Sequence, residues 1–136
     1  MKYKFLPHTA DVKFRAYGKS MEEAFSNAAL ALTAVITDPK KVKPRIKKTI
    51  AVESEDEKAL LYDFLEQFII LLDTEDFLLN KVKSIKIDKL SLKAEIVGDA
   101  GSEKYKPKTH IKAVTYQEME IKKEKNSFIL QVVLDL

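Results

Sequence analysis

The stretch SFILQVVL, residues 127–134, is apolar on both of its alternating sets of side chains. This pattern is typical of a β-strand that is covered on both faces, whereas a strand with one solvated face alternates apolar with polar residues. A strand covered on both faces is usually central in its sheet. We therefore predict that this last strand lies inside a sheet, with the other elements arranged around it.

Two amphipathic helices come earlier in the chain. The first begins after Ser20, which forms a capping box with Glu23, and it ends at residues 38–39, Asp-Pro. The second runs from about residue 56 to residue 73 and carries a continuous apolar stripe at helical spacing. That stripe consists of Leu60, Leu61, Phe64, Leu65, Phe68 and Leu72.

Short apolar or alternating runs bounded by turn residues predict the strands. Because short turns join most of them, antiparallel pairing is favoured. The sequence therefore predicts an α+β fold in which two amphipathic helices pack on a largely antiparallel or mixed β-sheet, and 136 residues suit a single domain, residues 1–136. The predicted strands are residues 2–6, 12–17, 46–54, 81–88, 90–97, 111–122 and 127–134.

Composition excludes several classes of protein. The chain has no cysteine, which rules out a disulfide framework and a thiol nucleophile. Its N-terminus lacks the apolar stretch of a signal peptide, and no segment approaches the ~20 apolar residues that span a bilayer, so we expect a cytoplasmic protein that does not bind membranes. With 24 basic and 21 acidic residues, and only two arginines, a sequence-specific DNA reader is disfavoured.

Two segments are rich in lysine. KKVKPRIKK, residues 40–48, has six cations in nine positions, and GSEKYKPKTH, residues 101–110, is similar in character. Such a run can follow a phosphate backbone. The first segment has no interleaved aromatic side chains to stack on bases, and a charged run between a helix and a strand is more often a solvated loop. Both interpretations stay open at this point.

An acidic site is predicted from the two ends of the chain. Asp11 follows the motif LPHTA at the start of the second strand, and Asp135 stands at the end of the last strand. If these strands are antiparallel, both carboxylates reach the same edge, with the carbonyl and α-carboxylate of Leu136 one residue further on. Oxygen ligands of this kind suit Ca²⁺ or Mg²⁺. The alternative is that Asp11 accepts hydrogen bonds within a turn and Asp135 is an ordinary solvated end.

Lys112 is a further candidate. In the run IKAVTYQEMEI it alternates onto the same set as an apolar and an aromatic residue, Val114 and Tyr116. Its ammonium group either extends to solvent at the edge of the sheet or places a cation close to the acidic site, where it could grip a phosphate.

Four motifs in order, HTAD, AFSNAALAL, IKAVTY and the terminal VVLDL, resemble the archease family over essentially the whole chain. The resemblance implies a protein cofactor of the RtcB-type tRNA-splicing ligase rather than an enzyme. Members of that family promote guanylylation of the ligase, allow it to turn over repeatedly and broaden its nucleotide use. The implied partner is the RtcB-type RNA ligase, and tRNA is reached indirectly through it.

The resemblance also assigns residues. It implies a divalent metal site formed by Asp11, Asp135 and a main-chain oxygen of Leu136, with Ca²⁺ expected and Mg²⁺ or Mn²⁺ as alternatives. It implies that Lys112 is a functional, partner-facing residue and that His8 opens the motif. We expect His8 to orient the turn or to line the site behind the ligands.

The chain departs from the family pattern where His often follows KAVTY, because Gln117 stands there. A metal ligand at residue 117 is therefore not expected. An alternative function is a small chaperone or adaptor that binds RNA-modifying enzymes without metal-dependent chemistry, which predicts insensitivity to chelators.

Overall fold

The computed structural model describes residues 1–8 and 11–136. Within them, no helix is long and apolar enough to cross a membrane. The described residues form seven strands and two α-helices, with two short 3-10 helices at residues 39–41 and 102–105. In chain order these are β1 (Tyr3–Leu6), β2 (Val12–Gly18), α1 (Met21–Ile36), β3 (Ile46–Glu53), α2 (Glu57–Glu75), β4 (Phe77–Asp88), β5 (Ser91–Ala100), β6 (Ala113–Glu124) and β7 (Ser127–Asp135).

The strands form two antiparallel sheets, and the α+β prediction is confirmed. One sheet has the order β1-β2-β7-β6 and the other the order β3-β5-β4. β7 lies between β2 and β6, so the central position predicted for residues 127–134 is confirmed. The expectation of one sheet is wrong. Each helix contacts strands of both sheets, so the apolar surface of the helices is buried by two separate groups of strands.

Both helices begin at the residues that the sequence indicates. The Ser20 hydroxyl accepts a hydrogen bond from the main-chain N–H of Glu23 at 3.1 Å, and the Glu23 side chain accepts one from the main-chain N–H of Lys19 at 3.0 Å. Asp56 caps α2, because its carboxylate accepts a hydrogen bond from the main-chain N–H of Ala59 at 2.7 Å. These caps satisfy main-chain donors that have no partner inside the helix. Five of the six predicted apolar positions of α2 are buried: Leu60, Leu61, Phe64, Leu65 and Phe68.

A bulge interrupts β6 after Thr115, so the alternation predicted for residues 111–117 does not continue beyond that residue. Thr115 is opposite Val133, but the next pair is Glu120 with Gln131, so β6 advances by more residues than β7 does. Glu118 within the bulge has φ 52°, in the left-handed region. The bulge therefore moves residues 116–119 out of the regular positions of a strand. The two-residue alternation of a regular strand could therefore not predict where the side chains of residues 116–119 point.

Asp99 on β5 anchors the segment that follows this strand. Its side chain is 5% exposed. It accepts hydrogen bonds from the Tyr105 hydroxyl at 2.5 Å and from the Lys104 ammonium at 3.0 Å, and the Arg45 guanidinium lies 3.8 Å away. The hydrogen bond from Tyr105, followed by that from Lys104, lowers the pKa of Asp99 to about 2. Asp99 therefore ties the segment after β5 to the segment before β3.

Protonation of Asp99 is expected to weaken this attachment. Because folding lowers its pKa from 3.8 to about 2, its contribution to stability is complete above about pH 4 and is lost as the pH falls towards 2. Over that range we expect the free energy of unfolding of the parent to fall more steeply than that of Asp99→Asn, measured by denaturant titration at each pH. Asp88→Asn, at an exposed turn, should keep the parent's slope. Equal slopes in the parent and Asp99→Asn would contradict the assignment.

Candidate functional site

Asp11 and Asp135 come together at one edge of the four-stranded sheet. β2 and β7 are antiparallel, and their last pair is Val12 with Leu134. Asp11, in a bend, lies one residue before Val12, and Asp135 lies one residue after Leu134, so the two aspartates flank the last pair at the same edge of the sheet. Both residues are half-buried.

The third strand at this edge brings Lys112 to the same place. The main-chain N–H of Lys112 donates a hydrogen bond to the Asp135 carbonyl at 2.8 Å, and Ala113 is the cross-strand partner of Asp135. The Lys112 side chain is exposed. Among the described residues, its ammonium group has no carboxylate within 4.0 Å. The main chain of Lys112 is therefore bonded to Asp135, while its side chain is exposed to solvent.

Leu136 and Asp11 share a cleft of about 320 Å³. Thr109 and Lys13 also line it, together with apolar side chains from β1 and α1. The main-chain oxygens of Leu136 follow directly after Asp135. The carboxylates of Asp11 and Asp135 and the main-chain oxygens of Leu136 are therefore all found at this edge of the sheet.

His8 is linked to β2 through Glu118, which lies in the bulge of β6. Its Nε2 lies 3.1 Å from the Glu118 carboxylate, whose other oxygen accepts a hydrogen bond from the Lys13 ammonium at 3.1 Å. The hydrogen bond from Lys13, followed by that from His8, lowers the pKa of Glu118. His8 Nδ1 is buried without a hydrogen-bond partner among residues 1–8 and 11–136. Residues 9 and 10 of the motif lie outside the described residues.

Gln131 on β7 forms a hydrogen bond with the main chain of Glu118. It is 4% exposed, its Nε2 donates to the main-chain carbonyl of Glu118 at 2.8 Å, and its Oε1 accepts from Arg15 Nε at 3.0 Å. Because Gln131 stands on β7, between β2 and β6, it links the bulge of β6 to Arg15 on β2. The chain of contacts runs from Arg15 through Gln131 and Glu118 to Lys13 and His8.

Gln131→Leu is expected to lower the free energy of unfolding by about 1–3 kcal/mol, because it removes both hydrogen bonds of a buried amide, the one to the Glu118 carbonyl and the one from Arg15. Denaturant titration measures this change. Gln67→Leu is the matched control, since Gln67 is half-buried and its side chain makes no hydrogen bond within the described part of the chain. An equal effect of the two substitutions would show that Gln131 contributes nothing specific.

The donor atoms at this edge fit a hard divalent cation. All of them are oxygens, which Ca²⁺ and Mg²⁺ prefer, and the absence of cysteine disfavours a thiolate zinc site. Across residues 1–8 and 11–136, no three His, Cys, Asp or Glu side chains are gathered as a complete metal cluster. A cation here would depend on Asp11, Asp135, main-chain oxygens and water.

Sequence reasoning missed Glu118, Lys13 and Gln131. Gln131 carried a signal, because it is the only polar residue inside the apolar run FILQVVL, and a buried amide requires hydrogen-bond partners. Glu118 carried none, since only the bulge and its left-handed backbone turn this side chain towards β2. Gln117, by contrast, is exposed, and its main-chain N–H donates to the Thr115 hydroxyl at 3.3 Å.

Comparison with known proteins decides the family. The sequence profile of the Archease protein family matches residues 3–136. The chain belongs to the archease family. It is 39% identical over 140 aligned residues to Protein archease of Sulfurisphaera tokodaii, with 99% of each chain covered. It is 42% identical over 127 residues to the protein of the same name from Thermococcus kodakarensis, covering 90% of this chain and 89% of that one.

Solved structures show the same fold. The solution structure of protein 1598 of Methanobacterium thermoautotrophicum matches with a TM-score of 0.85 and 36% identity, covering 99% of each chain. The crystal structure of a Thermotoga maritima archease, described as a possible chaperone, matches with a TM-score of 0.62 and 18% identity, covering 98% of this chain and 96% of that one. The second match concerns the fold alone. The two-sheet architecture of this family member is therefore shared with solved structures.

Proposed function

We propose that this archease-family chain acts in the cytoplasm as an activator of the RtcB-type tRNA-splicing ligase. It would promote guanylylation of the ligase, permit multiple turnover in tRNA splicing and RNA repair, and broaden nucleotide use, with tRNA reached through the ligase. The observation that carries the proposal is the pairing of Val12 with Leu134, which brings the flanking Asp11 and Asp135 to one edge of the sheet. Family membership supports the choice of partner.

The residues at the edge have separable roles in this proposal. Asp11 and Asp135 present two carboxylates from neighbouring strands, and Leu136 adds main-chain oxygens. Lys112, whose main chain is bonded to Asp135, directs a cation outwards to a phosphate or an acidic side chain of the ligase. His8, whose Nε2 lies 3.1 Å from the Glu118 carboxylate, would act as a positioning residue.

A divalent ion at Asp11 and Asp135, Ca²⁺ or alternatively Mg²⁺ or Mn²⁺, would supply positive charge that offsets the negative charge on the nucleotide's phosphates. The protein's own contribution would be to hold its acidic side chains at one edge of the sheet. The pairing of β7 with both β2 and β6 supports a site that is formed before the partner docks.

The decisive experiment is a nucleotide-transfer assay. Purified RtcB-type ligase is incubated with labelled GTP with and without this protein, and labelled ligase and ligated RNA are measured before chelation, after chelation and after readdition of each metal. We expect stimulation that chelation removes and one metal restores, after correction for the ligase's own metal requirement in the arm without this protein. No stimulation in any arm would overturn the proposal.

A small chaperone or adaptor is the second candidate, since a solved archease is described as a possible chaperone. Exposed apolar residues support a contact with another protein: Tyr116 is 54% exposed and stacks on Tyr62, with ring centroids 4.6 Å apart. This function predicts that chelation does not alter the protein's effect on the ligase. The same assay therefore separates the two candidates.

A further inference from the structure

Two lysine-rich segments that are about 60 residues apart in sequence meet on one surface. The Thr37 hydroxyl donates to the Tyr105 carbonyl at 2.8 Å, the Lys43 main-chain N–H donates to the Tyr105 hydroxyl at 3.3 Å, and the Lys108 main-chain N–H donates to the Ile36 carbonyl at 2.8 Å. We call the result the lysine-loop surface. Its cations are Lys40, Lys41, Lys43, Lys104, Lys106 and Lys108.

The charge of this surface is largely uncompensated. All six lysines are exposed. Lys104 is paired with Asp99, which is buried beneath it. Within the described ranges, 1–8 and 11–136, none of the other five ammonium groups has a carboxylate within 4.0 Å. A local excess of positive charge therefore faces solvent on a chain whose net charge is only +3.

The two segments are held in place and are not free to separate. Asp99 bonds Tyr105 and Lys104 of one segment and lies 3.8 Å from Arg45 of the other. Both segments are also tied to main-chain atoms by the hydrogen bonds above. Because the backbone that carries the lysines is already ordered, a ligand that needs several cations at once would meet a smaller entropic penalty on binding.

A cleft of about 540 Å³ extends the lysine-loop surface. Lys40 belongs to both, and Lys2 and Lys81 add two further cations to the lining, whereas Asp38 is its one acidic residue. A groove with several cations along it suits a linear chain of negative charges. A single small anion would need only part of it.

We propose that the lysine-loop surface binds the phosphate backbone of RNA directly, without reading sequence. Lysine ammonium groups act as point charges for phosphates, whereas base recognition is usually made by arginine or by stacked aromatic rings. Tyr105 is the one aromatic residue in the two loops, and its hydroxyl is bonded to Asp99. Arg45, the one arginine of the two segments, lies 3.8 Å from the same Asp99 carboxylate. The two side chains suited to base contact are therefore both engaged with Asp99, whereas the lysines are available for backbone contact.

An acidic protein fits this surface less well than RNA. Protein interfaces usually contain an apolar or aromatic centre, and the exposed large hydrophobic residues of this chain, Met1, Phe5, Ile70 and Tyr116, lie outside the two loops.

The second lysine-rich loop also leads to the acidic edge, because Thr109 follows Lys108 and lines the cleft that contains Asp11. This inference goes beyond the ligase proposal, in which tRNA is reached only through the ligase, and does not depend on it.

The test measures binding of fluorescently labelled tRNA to the full-length protein alone, by anisotropy over a range of salt concentrations. Two double variants each remove two charges, Lys41→Gln/Lys43→Gln from the first loop and Lys106→Gln/Lys108→Gln from the second. Each is expected to lower the slope of log affinity against log salt by about 2, and to weaken binding about tenfold or more at ~0.1 M salt. Lys86→Gln/Lys93→Gln is the charge-matched control.

The control pair is suitable because Lys86 and Lys93 are exposed cross-strand partners on β4 and β5. We expect it to stay within about twofold of the parent, because those lysines make no phosphate contact in this proposal. An equal loss in the control and the loop variants would overturn the proposal, as would poly-glutamate competing as well as tRNA at equal charge. Circular dichroism checks that the variants are folded. A ligase assay without stimulation would leave this result unaffected.

Discussion

Asp11→Asn and Asp135→Asn are each expected to weaken Ca²⁺ binding by about tenfold or more and to remove the proposed stimulation of ligase guanylylation. Asparagine keeps the size of the side chain and one oxygen, but it removes the negative charge that attracts the cation. Asp135 ends β7 whereas Asp11 directly precedes β2, so the two carboxylates come from separate segments and neither is expected to replace the other. Calorimetric titration with Ca²⁺, Mg²⁺ and Mn²⁺ measures affinity, and the nucleotide-transfer assay measures function.

Asp88→Asn is the control for this pair, because it removes one charge at the exposed turn between β4 and β5. Its Ca²⁺ affinity and its stimulation of the ligase should match those of the parent. If Asp11→Asn and Asp135→Asn are folded and still stimulate guanylylation as the parent does, the acidic edge is not the functional site. If they lose metal affinity but keep stimulation, the metal has a structural role instead.

Gly98→Ala is expected to lower the free energy of unfolding by about 3 kcal/mol or more, at or above the upper end of the usual cost of overpacking. A Cβ atom added at Gly98 would lie 2.0 Å from the Leu78 carbonyl oxygen and 2.7 Å from the Phe77 ring. The first of these is a backbone atom of the neighbouring strand, so relief requires β4 and β5 to separate. Thermal and denaturant unfolding measure the loss.

The same substitution has a second, local consequence. Gly98 accepts a hydrogen bond from the main-chain N–H of Arg45 at 2.9 Å, and Asp99 follows it. Displacement of this strand should also disturb the lysine-loop surface and weaken tRNA binding. Ala51→Val, which adds volume at an exposed position of β3 in the same sheet, should leave stability within about 0.5 kcal/mol of the parent. If Gly98→Ala were as mild, the close approach of the strands would be refuted.

The elements that the sequence predicted well are those with strong local signals. The helix starts at Ser20 and Asp56 follow from capping chemistry, and the apolar stripe of α2 follows from helical spacing. The starts and ends of the elements were predicted less accurately where no turn residue marks them. β4 begins at Phe77 and not at residue 81, because its apolar first residues follow α2 with only Asp76, in the left-handed conformation, between them.

The candidate site was predictable in part for a different reason. Asp11 and Asp135 could be paired from the sequence because the strands that carry them are adjacent and antiparallel, and a register then fixes which ends meet. Glu118 could not be placed, since its contact with Lys13 and His8 depends on an extra length of strand in the bulge. A bulge changes the direction of a side chain without leaving a regular mark in the sequence.

By itself, the sequence determined the type of each main element, the central position of residues 127–134 and the acidic ends of two strands. These properties are local, because period, capping and alternation act over a few residues. Only the tertiary structure decided that the strands divide into two sheets, that Glu118 reaches β2 and that two lysine-rich loops form one surface. Those outcomes depend on contacts between residues far apart in the chain, which no local pattern specifies.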